Sequence, residues 1–319
     1  MLTVQKFGGS SVADAARIRR AAEIIAEEKA AGNEVVAVLS AMGDSTDELI
    51  EKTNEISALP PPRELDALLS TGELQSVALM SMQLNELGIS AVSLSGRQAG
   101  IITDENHGNA KILSIKTRRI RDELSAGRVV IVAGFQGVCC SDNITTLGRG
   151  GSDTTAVALA SALKADKCEI YSDVDGIYTA DPRLTTGAKK LEYIDYEDML
   201  NLALGGSQVL HSRAVKIAME QGLEVRLKSS FVKNDGTRLM HCKDRPPLCG
   251  VTRDRAENRI SLVGKGADLH RLCAAAKLLT ENGIPVVSAE AHVGVCSLVT
   301  EPRFVLPALQ LIHRHFFDG

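Results

Sequence analysis

Leu2-Thr3-Val4-Gln5-Lys6-Phe7-Gly8-Gly9-Ser10-Ser11 is the stretch on which the fold turns. Leu2–Phe7 reads as a short strand, the glycine pair interrupts it, and apolar residues return at helical spacing over residues 14–31. A lysine at a strand end, then two glycines and two hydroxyls ahead of a helix, is the grammar of an anion site. Glycines let backbone approach an anion closely, the open N–H groups of a helix start point toward it, and Lys6 adds a full positive charge. The order is the reverse of the Walker pattern, in which lysine follows the glycines. A plain glycine turn beside a surface lysine has the same local sequence.

The same alternation continues outward. Strand-like residues 35–39 precede helix-period residues 46–57, strands follow at 89–94 and 128–133, and a polar hairpin-like stretch lies near 141–145. Helix 153–164, strand 168–172, helices Tyr196–Leu204 and Ser212–Gln221 and strand 224–228 complete the run. Strands alternating with helices predict an α/β fold with a doubly wound, mostly parallel sheet over residues 1–233. Pro60-Pro61-Pro62 is a local turn between two helices, because consecutive prolines cannot continue a helix. Residues 234–250 carry charge, proline and glycine without a period and are expected to be a linker. Residues 251–319 read as a small α+β domain: strand Arg259–Val263, helix 269–282, strands 285–289 and 293–299, helix 304–316.

Composition narrows the function classes. The chain has 319 residues, 44% hydrophobic and 24% charged, with 36 basic against 40 acidic side chains and a net charge of −4. With 3% aromatics and a pI near 6.0, it lacks the basic stripe and stacking rings of a nucleic-acid binder, so no nucleic acid is expected as a partner. The longest apolar runs, residues 35–39 and 129–133, are far short of a membrane span, and no membrane partner is expected. No secretory signal is visible at the start, and the seven cysteines, an odd number without a Cys-x-x-Cys pair, read as reduced thiols. A cytoplasmic protein is the expectation.

Two further segments carry chemistry. Leu147-Gly148-Arg149-Gly150-Gly151-Ser152-Asp153-Thr154-Thr155 repeats the anion-site layout with an arginine that can hold a carboxylate through two parallel bonds. Helix capping is the plainer role for Ser152 and Asp153. Ser172-Asp173-Val174-Asp175-Gly176-Ile177-Tyr178-Thr179-Ala180-Asp181-Pro182-Arg183 follows a strand and offers carboxylates, an aromatic face and an arginine suited to a nucleotide, although Asp-Gly and Asp-Pro are also ordinary turn signals. Two glycine loops at strand ends point to two anionic ligands at the carboxyl edge of an open sheet.

Together these segments resemble the aspartate kinases of the amino acid kinase superfamily over nearly all of residues 1–232. The likeness rests on Lys6–Val12, Ser40-Ala41-Met42-Gly43, Thr46-Asp47, Ser70-Thr71-Gly72-Glu73, Gln98-Ala99-Gly100-Ile101, Gly134-Phe135-Gln136-Gly137, Gly148–Thr155, Asp173–Arg183 and Val209-Leu210-His211. The resemblance implies the amino acid kinase fold and transfer of the ATP γ-phosphoryl group to the side-chain carboxylate of L-aspartate. That is the first step toward lysine, threonine and methionine. It assigns Lys6 and Asp153 to catalysis, with Asp153 orienting Lys6; Thr46, Glu73, Arg149 and Ser152 to aspartate, with Glu73 pairing its ammonium; and Lys6, Gly8, Gly9, Ser10, Ser40, Ser172, Asp173, Tyr178, Arg183 and Gln208 to ATP. Mg2+ is implied on the nucleotide phosphates, held mostly by nucleotide and water. A carboxylate is already ionised at neutral pH, so the acceptor needs no general base.

The sequence also departs from that pattern. Gln208 stands where the family carries a lysine, so one phosphate-facing charge is replaced by a hydrogen-bond donor. The C-terminal region has room for one ACT-like module where the family typically carries two, and residues 264–269 lack the Pro-Gly turn common in effector-binding modules. Its open sheet edge is expected to pair in a homodimer. The competing readings are a catalytically weakened amino-acid sensor or regulatory subunit, and a kinase for another acyl carboxylate. His211 is read as structural.

Overall fold

The computed structural model describes residues 1–318. Its contacts divide the chain into two units, Met1–Asp175 with Leu223–Asp235, and Gly176–Gly222 with the chain from Gly236 onward. This division differs from the sequence-order boundary expected at residue 233, because the segment that follows Asp175 folds with the C-terminal region before the chain returns.

In chain order, the first unit contains β1 (Leu2–Phe7), α1 (Ala15–Ala30), β2 (Glu34–Leu39), α2 (Ser45–Ile56), α3 (Pro62–Glu86), β3 (Ala91–Leu94), β4 (Ile101–Thr103) and β5 (Ile112–Ile115). It continues with α4 (Arg118–Ser125), β6 (Val129–Ala133), β7 (Gln136–Val138), β8 (Ile144–Thr146), α5 (Gly151–Leu163) and β9 (Lys167–Ser172). The second unit then takes β10 (Tyr193–Ile194), α6 (Tyr196–Leu204) and α7 (Ser212–Gln221), and β11 (Val225–Ser229) returns to the first. The remainder is β12 (Thr237–Leu239), β13 (Gly250–Asp254), β14 (Arg259–Val263), α8 (Leu269–Glu281), β15 (Ser288–His292), β16 (Val295–Val299) and α9 (Val305–Phe317).

The first unit is built on a parallel sheet in the order β11-β9-β1-β2-β6-β3. Phe7 and alternate residues of β2 and β6 bury against α1 and α3. Side chains alternate across a strand, so Lys6 faces the other side, where α5 packs on β1, β2 and β9. That alternation places the lysine beneath the start of α5. A smaller mixed sheet, β5-β4-β7-β8, holds the hairpin expected near residues 141–145.

In the second unit, β13-β14-β16-β15 form an antiparallel sheet. Val251, Ile260, Leu262, Cys296 and Leu298 on one face pack with α8 and α9. The opposite face carries the Ser261–Ser297 hydroxyl pair (2.9 Å) and receives α6, where a Cβ on Gly205 would stand 2.8 Å from Thr252. The expected small α+β domain is present with one more strand. β13 begins at the last residue of the segment read as a linker, and pairing with β14 outweighs its weak local signal. The rest of that segment is ordered as well: β12 pairs with β10, and the Arg245 guanidinium binds Asp195 (3.1 Å) and Glu197 (2.9 Å) at the start of α6. The third sheet strand lies at residues 288–292, three residues beyond its expected start at 285.

Candidate functional site

The carboxyl ends of β1, β2, β6 and β9 bring the first unit's candidate residues together. After Lys6 and Phe7 the chain turns at Gly8, whose N–H binds the Tyr171 carbonyl at the end of β9 (3.1 Å), and enters a short 3-10 turn, Gly9–Val12. Gly9 is required by a close approach: a Cβ there would stand 2.9 Å from the Ala41 carbonyl oxygen. Its own carbonyl accepts from Gly43 (3.1 Å). The loop after β1 and the loop after β2, which carries Ser40, are thereby locked together.

Lys6 Nζ lies 2.6 Å from Asp153 Oδ1, with each side chain almost wholly buried. The pair brings together the two residues to which the resemblance assigns catalysis. Helix α5 starts at Gly151, two residues before the expected position, because Gly150 (φ 65°) serves as its N-cap in the left-handed region. No side chain caps this helix. Ser152 and Asp153 lie inside the helix and do not cap it. Ser152 is buried against Gly134, where a Cβ would meet its Oγ at 2.6 Å. Arg149, on the turn between Gly148 (φ 73°) and Gly150, is exposed. Its guanidinium has no protein partner among the described residues.

Glu73 stands on α3 and is 3% exposed. One carboxylate oxygen accepts from the Ala41 N–H (3.2 Å). The other, Oε2, is buried with no hydrogen-bond partner. Loss of solvent pushes this carboxyl up to about 7, against the partial relief of its backbone N–H contacts. The peptide of Ala41 links the two halves of the site, its N–H on Glu73 and its carbonyl against Gly9. A Cβ at Gly72 would stand 2.9 Å from Ala41 Cβ, so the glycine permits this approach. Thr46 is the second residue of α2, half-buried, behind an N-cap at Asp44. Ser10 and Ser172 are half-buried and Asp173 exposed; Ser172 Oγ accepts from Val174 N (3.3 Å).

Tyr178, Arg183 and Gln208 lie in the second unit. Tyr178 is half-buried and pairs with Lys190 in an isolated bridge. Arg183 forms a fork on Asp181 (3.0 and 2.9 Å), and Gln208 is exposed after α6. Thr179, beside Tyr178, is built into the antiparallel module: its carbonyl accepts from Val251 (2.7 Å) and its hydroxyl pairs with the buried His313 of α9 (2.9 Å). His211 is the N-cap of α7, a structural role as expected.

Two features escaped the site expectations drawn from sequence. Phe135 has φ 68°, and its N–H is held by Thr155 Oγ1 (3.1 Å); the motif containing it was visible, but not its strained backbone. Asp66 is buried on α3 and receives His107, Gly108 and Thr146. Residues so far apart leave no local pattern.

No cluster of three His, Cys, Asp or Glu side chains is placed to hold a metal among the described residues. No helix among them is long and apolar enough to cross a membrane.

Residues 1–229 match the amino acid kinase family. The chain is 51% identical over 269 residues to an aspartokinase of Mycolicibacterium smegmatis, covering 82% of this chain and 64% of that relative. The chain thus spans a little under two thirds of that relative's length. Among solved structures, it is similar to the aspartate kinase of Synechocystis (TM-score 0.70, 32% identity, 99% of this chain and 69% of that one). It is also similar to E. coli aspartokinase III in complex with aspartate and ADP (TM-score 0.70, 25% identity, 98% and 84%).

Proposed function

The chain belongs to the amino acid kinase family, and from that membership we propose that it transfers the γ-phosphoryl group of ATP to the side-chain carboxylate of L-aspartate, giving 4-phospho-L-aspartate. The observation that carries this reading is the partnerless, buried Oε2 of Glu73, in a site whose other buried carboxylate, Asp153, is already paired with Lys6. A buried anion without a partner calls for a cation, and the ammonium of an α-amino acid supplies one. The relatives' aspartokinase names and the aspartate and ADP held by the E. coli structure support the same substrate pair.

The acceptor is ionised at neutral pH, so catalysis reduces to positioning and charge neutralisation. In this reading Glu73 takes the ammonium and Arg149 clamps a carboxylate through its fork, with Thr46 and Ser152 completing the aspartate pocket. Lys6, held straight by Asp153, neutralises the transferring phosphoryl oxygens. Gly8, Gly9 and Ser10 offer close backbone approach to the phosphates. Ser40, Ser172, Asp173, Tyr178, Arg183 and Gln208 serve ATP. Mg2+ would be carried on the nucleotide's own phosphates and water, within reach of the carboxylate of Asp173, which is exposed. Bound there, the ion would shield phosphate charge.

We further place the reaction at the head of lysine, threonine and methionine synthesis and the protein in the cytoplasm, a setting that suits seven free cysteines. The five residues of β15 are exposed along the edge of the antiparallel sheet, and a second copy pairing there would form the homodimer. Light scattering at micromolar concentration should give twice the chain mass; a monomer would remove that element. The reaction is tested by ADP release with Mg-ATP and L-aspartate, glutamate, N-acetylglutamate or UMP in parallel. Release with L-aspartate is expected, and release only with another acceptor would overturn the substrate assignment.

A further inference from the structure

Asp66 is a buried carboxylate that no step above uses. It is 1% exposed and accepts from His107 Nδ1 (2.7 Å), from the Gly108 N–H through both oxygens (3.1 Å each) and from Thr146 Oγ1 (2.5 Å). Burying a charge is costly unless it is fully hydrogen-bonded, and such groups often serve to fix one arrangement. What Asp66 fixes can be traced. Thr146 ends β8, three residues before Arg149. Its carbonyl accepts from Ala110 (2.9 Å), and the next N–H, of Leu147, binds the Phe135 carbonyl (2.8 Å). The chain then turns at Gly148, carries Arg149 at its apex, and closes with the Gly151 N–H on the Gly148 carbonyl (3.0 Å).

Asp66 therefore anchors the entry leg of the Arg149 turn to α3. Glu73 lies seven residues further along that helix, about two turns and about 10 Å of rise, on nearly the same face. One rigid helix thus holds both the ammonium receptor and the base of the carboxylate clamp. We propose that Asp66, acting through Thr146, is a positioning residue for the amino-acid substrate that sets the spacing between Glu73 and the Arg149 turn. His107 and Gly108 complete the carboxylate's hydrogen bonds, so that Asp66 stays pointed at Thr146. This inference rests on the proposed aspartate reading for its substrate, but not for its geometry.

The test compares Thr146→Val, which keeps the shape and removes the donor, with Thr146→Ser, which keeps the donor, and with Asp66→Asn. Thr146→Val is expected to raise KM for aspartate about tenfold, because an untethered turn holds Arg149 less well in place for the carboxylate. KM for ATP should stay unchanged, and Thr146→Ser should return KM for aspartate toward the unmodified value. A general loosening would move both KM values together, so equal rises, or an unchanged KM for aspartate in Thr146→Val, would overturn the proposal. Amide exchange supplies a readout independent of activity. Thr146→Val should speed exchange at residues 148–151 and leave α9 unaffected; unchanged exchange there would also overturn it. If the unmodified chain releases no ADP with L-aspartate, the functional reading falls, and the exchange result alone decides whether Asp66 fixes the turn.

Discussion

The two buried carboxylates of the site, Asp153 on α5 and Glu73 on α3, are treated in opposite ways. Asp153 has its cation built in, 2.6 Å away on Lys6. Glu73 has one oxygen held by Ala41 and the other left bare, and burial pushes it up to about 7. In the proposed reading, the difference separates machinery that is set before substrate arrives from a receptor that substrate completes. On that reading a preset pair would hold a lysine in place for charge that develops during reaction, whereas a bare carboxylate would gain its partner on binding. The two regions should therefore fail differently when altered.

The sharpest way to break the comparison is Lys6→Ala. Loss of the charge facing the phosphoryl group should lower kcat about 10²- to 10³-fold with little change in KM for aspartate; full activity would remove Lys6 from catalysis. Glu73→Gln should do the converse, raising KM for aspartate about ten- to a hundredfold by loss of a charge-assisted pair, while ATP affinity measured by calorimetry stays the same. Asp153→Asn strands the nearly buried Lys6 ammonium and should cost about 3 kcal/mol of stability in denaturant melts; an unchanged midpoint would mean that the pair is not preset.

A smaller effect follows from pH. With Glu73 near 7, its ionised form, the one that receives an ammonium, is scarce at pH 6 and dominant at pH 8. KM for aspartate should fall about tenfold across that interval, because the proton must leave before the cation can pair. A flat profile would show that Glu73 is ionised throughout. The smallest change expected is from Gln208→Lys. At this exposed position, solvent screens the added charge, and KM for ATP should fall only about two- to fivefold.

The sequence carried the main sheet because its strands are short apolar runs between amphipathic helices, a pattern written locally. It did not carry β4, β5 or β7, whose three or four residues acquire their form from pairing. β13 was hidden beside prolines and charge that would suit a linker, and Val251 shows what overrides that signal: it is buried in the module's core. The Lys6 and Arg149 loops were legible because glycine must stand where backbone comes close or turns left-handed. The burial of the Glu73 carboxylate was not, since its contact with Ala41 joins residues 32 positions apart. Nor was the attachment of Thr179 to His313, which lie 134 positions apart.

The most direct measurement traps the product. Purified chain with Mg-ATP and L-aspartate is quenched with hydroxylamine, which converts an acyl phosphate to a hydroxamate, for the unmodified protein and Glu73→Gln at subsaturating aspartate. The account predicts aspartyl hydroxamate from the unmodified protein and a signal lower by an order of magnitude or more from the variant. Equal signals from both would contradict the role of Glu73, and ADP release without hydroxamate would contradict transfer to a carboxylate.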